Sequence, residues 1–405
     1  MEIRDKYYKK YRFVFIVLGL LFISTFSFGT ENMDVAIEEI YFNYEVGNAK
    51  DALAISDNGT PIVNVPEWKD SYYPQKDKYG FAYIMGQATR SIKVQFSAGS
   101  YDGLMHLLIN VSYISGDGIG EVCNLFVPNF DINNLLTLYP TGNFPTAVGV
   151  HEFQWRWKIY AIPINNPDYC AAWSTIDTSH HFYTLLAAPQ APMAQPWERV
   201  LDYACSWANG QTTSSTAAEE TVQGLYNNSG FLYDIISGAP RYTNYGSQSF
   251  NLTYMLSELG GSNIIVNCYD VGKALNIFLN SIGCNSGYKW SIPFGFLNCV
   301  LPIGRSWTNN PFYANPNRVY PYTQPIVGED DSNRTGFNNH AFCMINEIVY
   351  DACLKVDTDS NPDYGAPFSE SWAINWDWST YKNKVIDNNP ATNTEGPYNY
   401  NFSVY

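Results

Sequence analysis

The chain has 405 residues, of which 15% are charged and 16% aromatic, and a net charge of -15. That length allows two or three domains and a sizeable core. The acidic balance excludes a basic nucleic-acid surface, the aromatic content excludes global disorder, and eight cysteines are too few for a disulfide scaffold.

Residues 1–12 carry Arg4, Lys6, Lys9, Lys10 and Arg12, and an uncharged apolar run follows from Phe13 to Gly29. Ser27 and Gly29 supply small residues for cleavage after Gly29, so residues 1–29 have the layout of a secretory signal. An uncleaved N-terminal anchor is the alternative. Either reading makes the protein secreted or extracytoplasmic. Removing the leader takes away five basic and two acidic residues, which deepens the charge to -18. An acidic surface suits solubility and neutral or cationic partners. Association with the cell surface or cell wall is compatible with it.

Residues 30–165 read as strands. Ser91–Phe96, Met105–Ser112 and Phe153–Ile162 are β-branched and aromatic, and Gly, Pro and Asp clusters separate them. This spacing predicts an antiparallel β-sandwich. Trp155 and Trp157 alternate in one strand, either as core or as a carbohydrate platform. Residues 166–195 hold Pro167, Pro189 and Pro192 and read as a Pro-rich linker.

From Pro196 the period changes to helical. Helices are predicted from Trp197 to Gly210, over about 215–226, from Leu252 to Leu259, and from Cys268 to Ile282. The signal then returns to strand. His340–Ile345 and Ile348–Val356 flank Asn346-Glu347, which reads as a two-residue hairpin turn. Helices followed by antiparallel strands make an α+β domain over 196–358. Residues 359–405 are polar and read as an irregular extension packed on the body.

Cys268 stands at the first position of its helix, after the N-cap Asn267, with Asp270 placed for a capping box. Unpaired amides and the helix dipole favour a thiolate there, which is the form a nucleophile needs. A buried structural cysteine is the alternative. The hairpin register sets Ile345 opposite Ile348 and Phe342 opposite Asp351. Side chains repeat every two residues along a strand. His340 and Asp351 therefore share a face as diagonal neighbours. A carboxylate holding one imidazole nitrogen leaves the other as a base for Cys268. Asp357 is the competing orienter, about 13 Å farther along the strand. The Cys268 amide is one oxyanion donor, with Gln248, Asn251 or Trp307 as candidates for a second. Trp307, Asn309 and Asn310, in the long 285–339 connection, are candidate substrate-binding residues. Asp357, Asp359, Asn361 and Asp363 alternate as in a calcium loop. Pro362 and Phe368 stand where such a loop needs Gly and Glu, so no metal or cofactor is expected.

The stretches VNCYDVGKALNIFLNSIGC (266–284) and NHAFCMINEIVYDACLKVD (339–357) resemble the nucleophile helix and the His and Asp strands of the transglutaminase-like superfamily. The resemblance covers about residues 195–358. It implies a fold related to papain-like cysteine peptidases and a Cys268–His340–Asp351 triad. It also implies thiol chemistry on peptide or protein amides through a thioester, either as peptidase or amidase or as acyl transfer. Such an enzyme would act without a cofactor, as a monomer. Tyr269 and Phe342 stand where crosslinking members have Trp, which shifts the expectation from crosslinking toward thiol chemistry in general. The alternative is a module that keeps the fold for binding or adhesion without turnover.

Overall fold

The computed structural model describes residues 31–44, 52–72, 79–87, 91–117, 122–164, 169–246, 248–312, 326–327, 334–359, 367–387 and 393–405. The leader lies outside these residues, as do Asn361 and Asp363 of the calcium-like stretch. Among the described residues no helix is long and apolar enough to cross a membrane.

The first half is built on alternation. A register shift at Ile37–Glu39 interrupts the pattern in β1 (Val35–Tyr41), whereas in β2 (Ile92–Ala98), β3 (Leu104–Gly116) as far as Val111, and β4 (Gly149–Pro163) alternate residues are buried. A period of two gives each strand one apolar face. The four-stranded sheet containing β1 and β2 and the five-stranded sheet containing β3 and β4 share a core of Ile37, Val94, Phe96, Trp155 and Trp157. Trp155 and Trp157 are wholly buried, so they are core residues and not a platform.

The linker boundary needs correction. Ala172–Leu185 is a 14-residue strand, β5, that pairs with β4 from Gly149↔Thr184 to Ala161↔Ala172. The prolines lie only on either side of it, so proline density concealed a strand whose inner face carries Thr178, His180 and Phe182. The sandwich thus runs to Leu185, and the connection is the short Pro-rich segment 186–197.

The second half begins with α1 (Glu198–Trp207), α2 (Ser214–Asn228) and α3 (Leu252–Glu258). Two short parallel strands, β6 (Phe231–Tyr233) and β7 (Ile264–Val266), lead into α4 (Cys268–Ser281). All 14 residues of α4 are buried. It packs on a sheet formed by β8 (Gly287–Ser291), β9 (Val300–Pro302), β10 (His340–Ile345) and β11 (Ile348–Asp357), in the order β9-β11-β10-β8. Gly272 makes the close approach possible. A Cβ there would stand 3.1 Å from the Tyr288 ring and 3.3 Å from the Ala341 backbone.

The extension is not irregular. Glu370–Asp377 forms β12, which pairs with β11, and Trp378–Val385 forms α5. Asp377 caps α5 by accepting from the Thr380 amide at 2.7 Å. Trp378, Tyr381 and Val385 then fall on one face, and Tyr381 and Val385 are buried.

The β10–β11 hairpin pairs Ile345 with Ile348, Met344 with Val349 and Cys343 with Tyr350. Asn346 and Glu347 have φ of 48° and 65°, the left-handed pair of a type I′ turn. Glutamate is strained in that region by about 1 kcal/mol. Glu347→Gly should therefore stabilise the chain by about that amount. Thermal unfolding is the check, with an expected rise in Tm of about 2 °C.

Candidate active site

Cys268 opens α4 because Asn267 and Asp270 close a full capping box. The Asn267 Oδ1 accepts from the Asp270 amide at 3.1 Å, and Asp270 Oδ2 accepts from the Asn267 amide at 3.4 Å. The buried Asp270 carboxylate also accepts from the amides of Arg241, Tyr242 and Thr243 at 2.6, 3.1 and 2.9 Å. Burial pushes its pKa up, and these backbone bonds pull the other way. One side chain thus fixes both the helix start and the loop ahead of it. Cys268 is 3% exposed at the wall of a cleft of about 500 Å³. The cleft is bounded by the Ile236–Gly238 turn, Tyr245, Tyr269, Phe312 and the Thr335–Asn339 segment. Among the described residues none that lines it is an acid, a lysine or an arginine.

The first residue of β10 is His340, wholly buried between Phe294 and Phe337; the Phe337 ring lies at 5.2 Å, nearly parallel. His340 Nε2 lies 2.8 Å from Asp351 Oδ2. The same oxygen accepts from the Tyr381 hydroxyl at 2.7 Å, and Oδ1 accepts from the Cys353 amide at 2.7 Å. The carboxylate is therefore held on both oxygens. His340 Nδ1 is buried without a hydrogen-bond partner. That nitrogen is left for the Cys268 sulfur, which adds to the forces holding the imidazolium proton. Burial is the largest influence on His340 and disfavours the charged ring. The Asp351 carboxylate and Cys268 together outweigh it and push the pKa up to about 10.

Asp357 stands elsewhere. Its Oδ1 accepts from the Ser369 amide at 2.8 Å and the Asp359 amide at 3.2 Å, at the far end of β11. It does not orient His340. Trp307, Asn309 and Asn310 do not line the cleft. Trp307 stacks on Phe368 at 4.6 Å. Asn309 bonds the backbone of Val327, and Asn310 accepts from the Thr335 amide and hydroxyl at 2.9 and 2.6 Å. These asparagines shape the loops behind the cleft. The candidates for a second oxyanion donor are likewise engaged: Gln248 donates to the Tyr245 carbonyl, and Asn251 caps α3. Tyr381 escaped the sequence reading, although Asp377-Trp378-x-x-Tyr381-x-x-x-Val385 is an N-cap followed by helical apolar spacing. Among the described residues six cysteines, Cys268 included, are buried and outside disulfides. Two of the remaining five make sulfur–carbonyl contacts: Cys343 Sγ lies 3.3 Å from the Gly272 carbonyl, and Cys284 Sγ lies 3.9 Å from that of Ser214.

No family model and no curated protein sequence matches the chain. Among solved structures it is similar to red sea bream transglutaminase, at 10% identity and a TM-score of 0.30, over 74% of this chain and 49% of that one. The chain thus spans about half the length of that structure.

The raised pKa of His340 links stability to pH. Between the ordinary value of 6.5 and about 10 the folded state holds a proton that the unfolded state releases. Stability is then fully present below pH ~6.5 and falls as pH rises toward 10. Lys273, lowered to about 8 by burial, contributes with the opposite sign between about 8 and 10.5. The check is urea unfolding of wild type and His340→Gln across pH 6–10. The difference in stability between them should shrink as pH rises.

Proposed function

We propose that this protein is a thiol enzyme that transfers acyl groups from peptide or protein amides, with Cys268 as nucleophile, His340 as acid and base, and Asp351 as orienter. The observation that carries this reading is the placement of His340. Its Nε2 is held by a carboxylate that is bonded on both oxygens, and its Nδ1 is unpaired beside a free cysteine on an open cleft. Asp351 fixes the ring and stabilises its charge, Tyr381 fixes Asp351, and the helix start presents Cys268 at the cleft wall.

In the first step the Cys268 sulfur bonds to the carbonyl carbon, and the carbonyl electron pair moves onto oxygen. The pair returns as the C–N bond breaks, and the leaving nitrogen takes the proton from His340 Nδ1. An amine and a thioester result. Water or a second amine, deprotonated by the neutral His340, then attacks the thioester and restores the thiolate–imidazolium pair. The described cleft lining offers no acid, lysine or arginine, which favours a neutral amide over a charged group, since an unpaired charge buried there would lose its hydration. We also place this activity outside the cytoplasm, following the leader.

The test combines active-site labelling with product analysis. Iodoacetamide should alkylate wild type at Cys268 far faster than at the other cysteines, and Cys268→Ala should lose the fast phase. Incubation with a peptide library and a tagged primary amine should give cleaved peptides or amine-tagged glutamine. Equal labelling of wild type and Cys268→Ala would overturn the assignment. Fast labelling without any product would leave a binding module on the same fold. His340→Gln should slow alkylation at pH 7 by at least ten-fold, because the thiolate loses its counter-charge.

A further inference from the structure

A tetrahedral intermediate at Cys268 needs two hydrogen-bond donors aimed at the oxygen that gains charge. The Cys268 amide supplies one, since the first amides of a helix have no intrahelical acceptor. None of the three side chains expected from sequence reaches the cleft as the second. The residues around Asn267 show what does.

Asn267 acts on two structures at once. Its Oδ1 caps α4, while its Nδ2 donates to the Gly238 carbonyl at 2.7 Å and to the Tyr245 hydroxyl oxygen at 3.2 Å. The Tyr245 oxygen therefore accepts from Asn267, and its O–H remains free to donate elsewhere. Tyr245 lines the same cleft as Cys268, and its ring stands edge-on to Tyr269 at 5.0 Å. Burial, opposed by the Asn267 bond and aided by the nearby Cys268 charge, pushes its hydroxyl up to about 12, so the phenol keeps its proton at neutral pH. The competing donor is the Trp290 indole N–H, which is buried without a partner. Trp290 is held between Tyr269 and Tyr400, at 4.7 and 3.7 Å, and does not line the cleft.

We propose that the Tyr245 hydroxyl is the second oxyanion donor, positioned by the residue that caps the nucleophile helix. This rests on the acyl-transfer reading above. When the sulfur–carbon bond forms and the carbonyl pair moves to oxygen, the Cys268 N–H and the Tyr245 O–H donate to that oxygen. Both retain their protons, and the pair returns when the leaving group departs. Tyr245 is thus a catalytic residue for any substrate that passes through a tetrahedral carbon. It has no part in direct displacement at a saturated carbon, which forms no oxyanion.

That difference is the test. The full chain, wild type, Tyr245→Phe and Trp290→Phe, is reacted with p-nitrophenyl acetate as acylating probe and iodoacetamide as alkylating probe, and circular dichroism checks the fold. Tyr245→Phe should lower the acylation rate constant about 100-fold. Its alkylation rate should stay within two-fold of wild type, and Trp290→Phe should acylate normally. Unchanged acylation in Tyr245→Phe overturns the proposal, as does an equal fall in both reactions, which would mean that Tyr245 acts on the thiolate. Loss of acylation in Trp290→Phe alone assigns the role to the indole. If wild-type Cys268 reacts with neither probe, the thiol-enzyme reading itself falls, and this assignment falls with it.

Discussion

A helix buried on every side must satisfy each of its polar groups from within the protein, and α4 is such a helix. Its sequence is not uniformly apolar: Asp270, Lys273, Asn276, Asn280 and Ser281 are all buried. An unpaired buried polar group costs about 1–3 kcal/mol. Ser281 donates to the Phe278 carbonyl of its own helix at 2.7 Å, and the other four are answered by neighbouring loops. Asn276 and Asn280 bond Ser286, and Asn280 also donates to the Ala191 carbonyl at 2.7 Å. The Gln190 amide donates to the Asn280 carbonyl at 2.9 Å, and the Leu186 amide to that of Ile282 at 3.1 Å. Lys273 reaches the Ser249 carbonyl at 3.5 Å and lies over the Phe402 ring. The helix is therefore a hub that fixes the connection from the sandwich, the loops ahead of Cys268 and the chain that follows it.

The site inherits its precision from that hub. Cys268 stands at the end of the helix where charge is favoured, and Gly272 lets the helix lie against the strand that begins with His340. Ring contacts to Phe294 and Phe337 exclude water from the imidazole. Removing water strengthens the Asp351–His340 attraction, which is why the ring stays protonated despite complete burial.

Much of this arrangement was legible in the chain itself. Asn267, Asp270 and Gly283 mark the helix that Cys268 opens, and the hairpin register places Asp351 rather than Asp357 by His340, because a two-residue turn leaves little freedom. Three parts were not legible for physical reasons. The strand Ala172–Leu185 carries polar residues on an outer face and lies between proline clusters, so local composition resembled a linker. The helix bearing Tyr381 is only eight residues long, and its one apolar face is diluted by Ser, Thr, Asn and Lys. Trp307, Asn309 and Asn310 have the chemistry of ligand-binding residues, but asparagine serves equally well to hold backbone, and only tertiary contacts distinguish the two uses.

The Tyr381–Asp351 bond has a consequence for the time at which the site becomes whole. Cys268, His340 and Asp351 leave the ribosome in that order, and the hydroxyl that completes the carboxylate's bonding arrives last, on the helix after β12. A growing chain that ends before Tyr381 holds His340 beside a carboxylate that lacks one of its hydrogen bonds. The carboxylate is therefore bonded on both oxygens, by the Cys353 amide and the Tyr381 hydroxyl, only after the chain has been made through Tyr381.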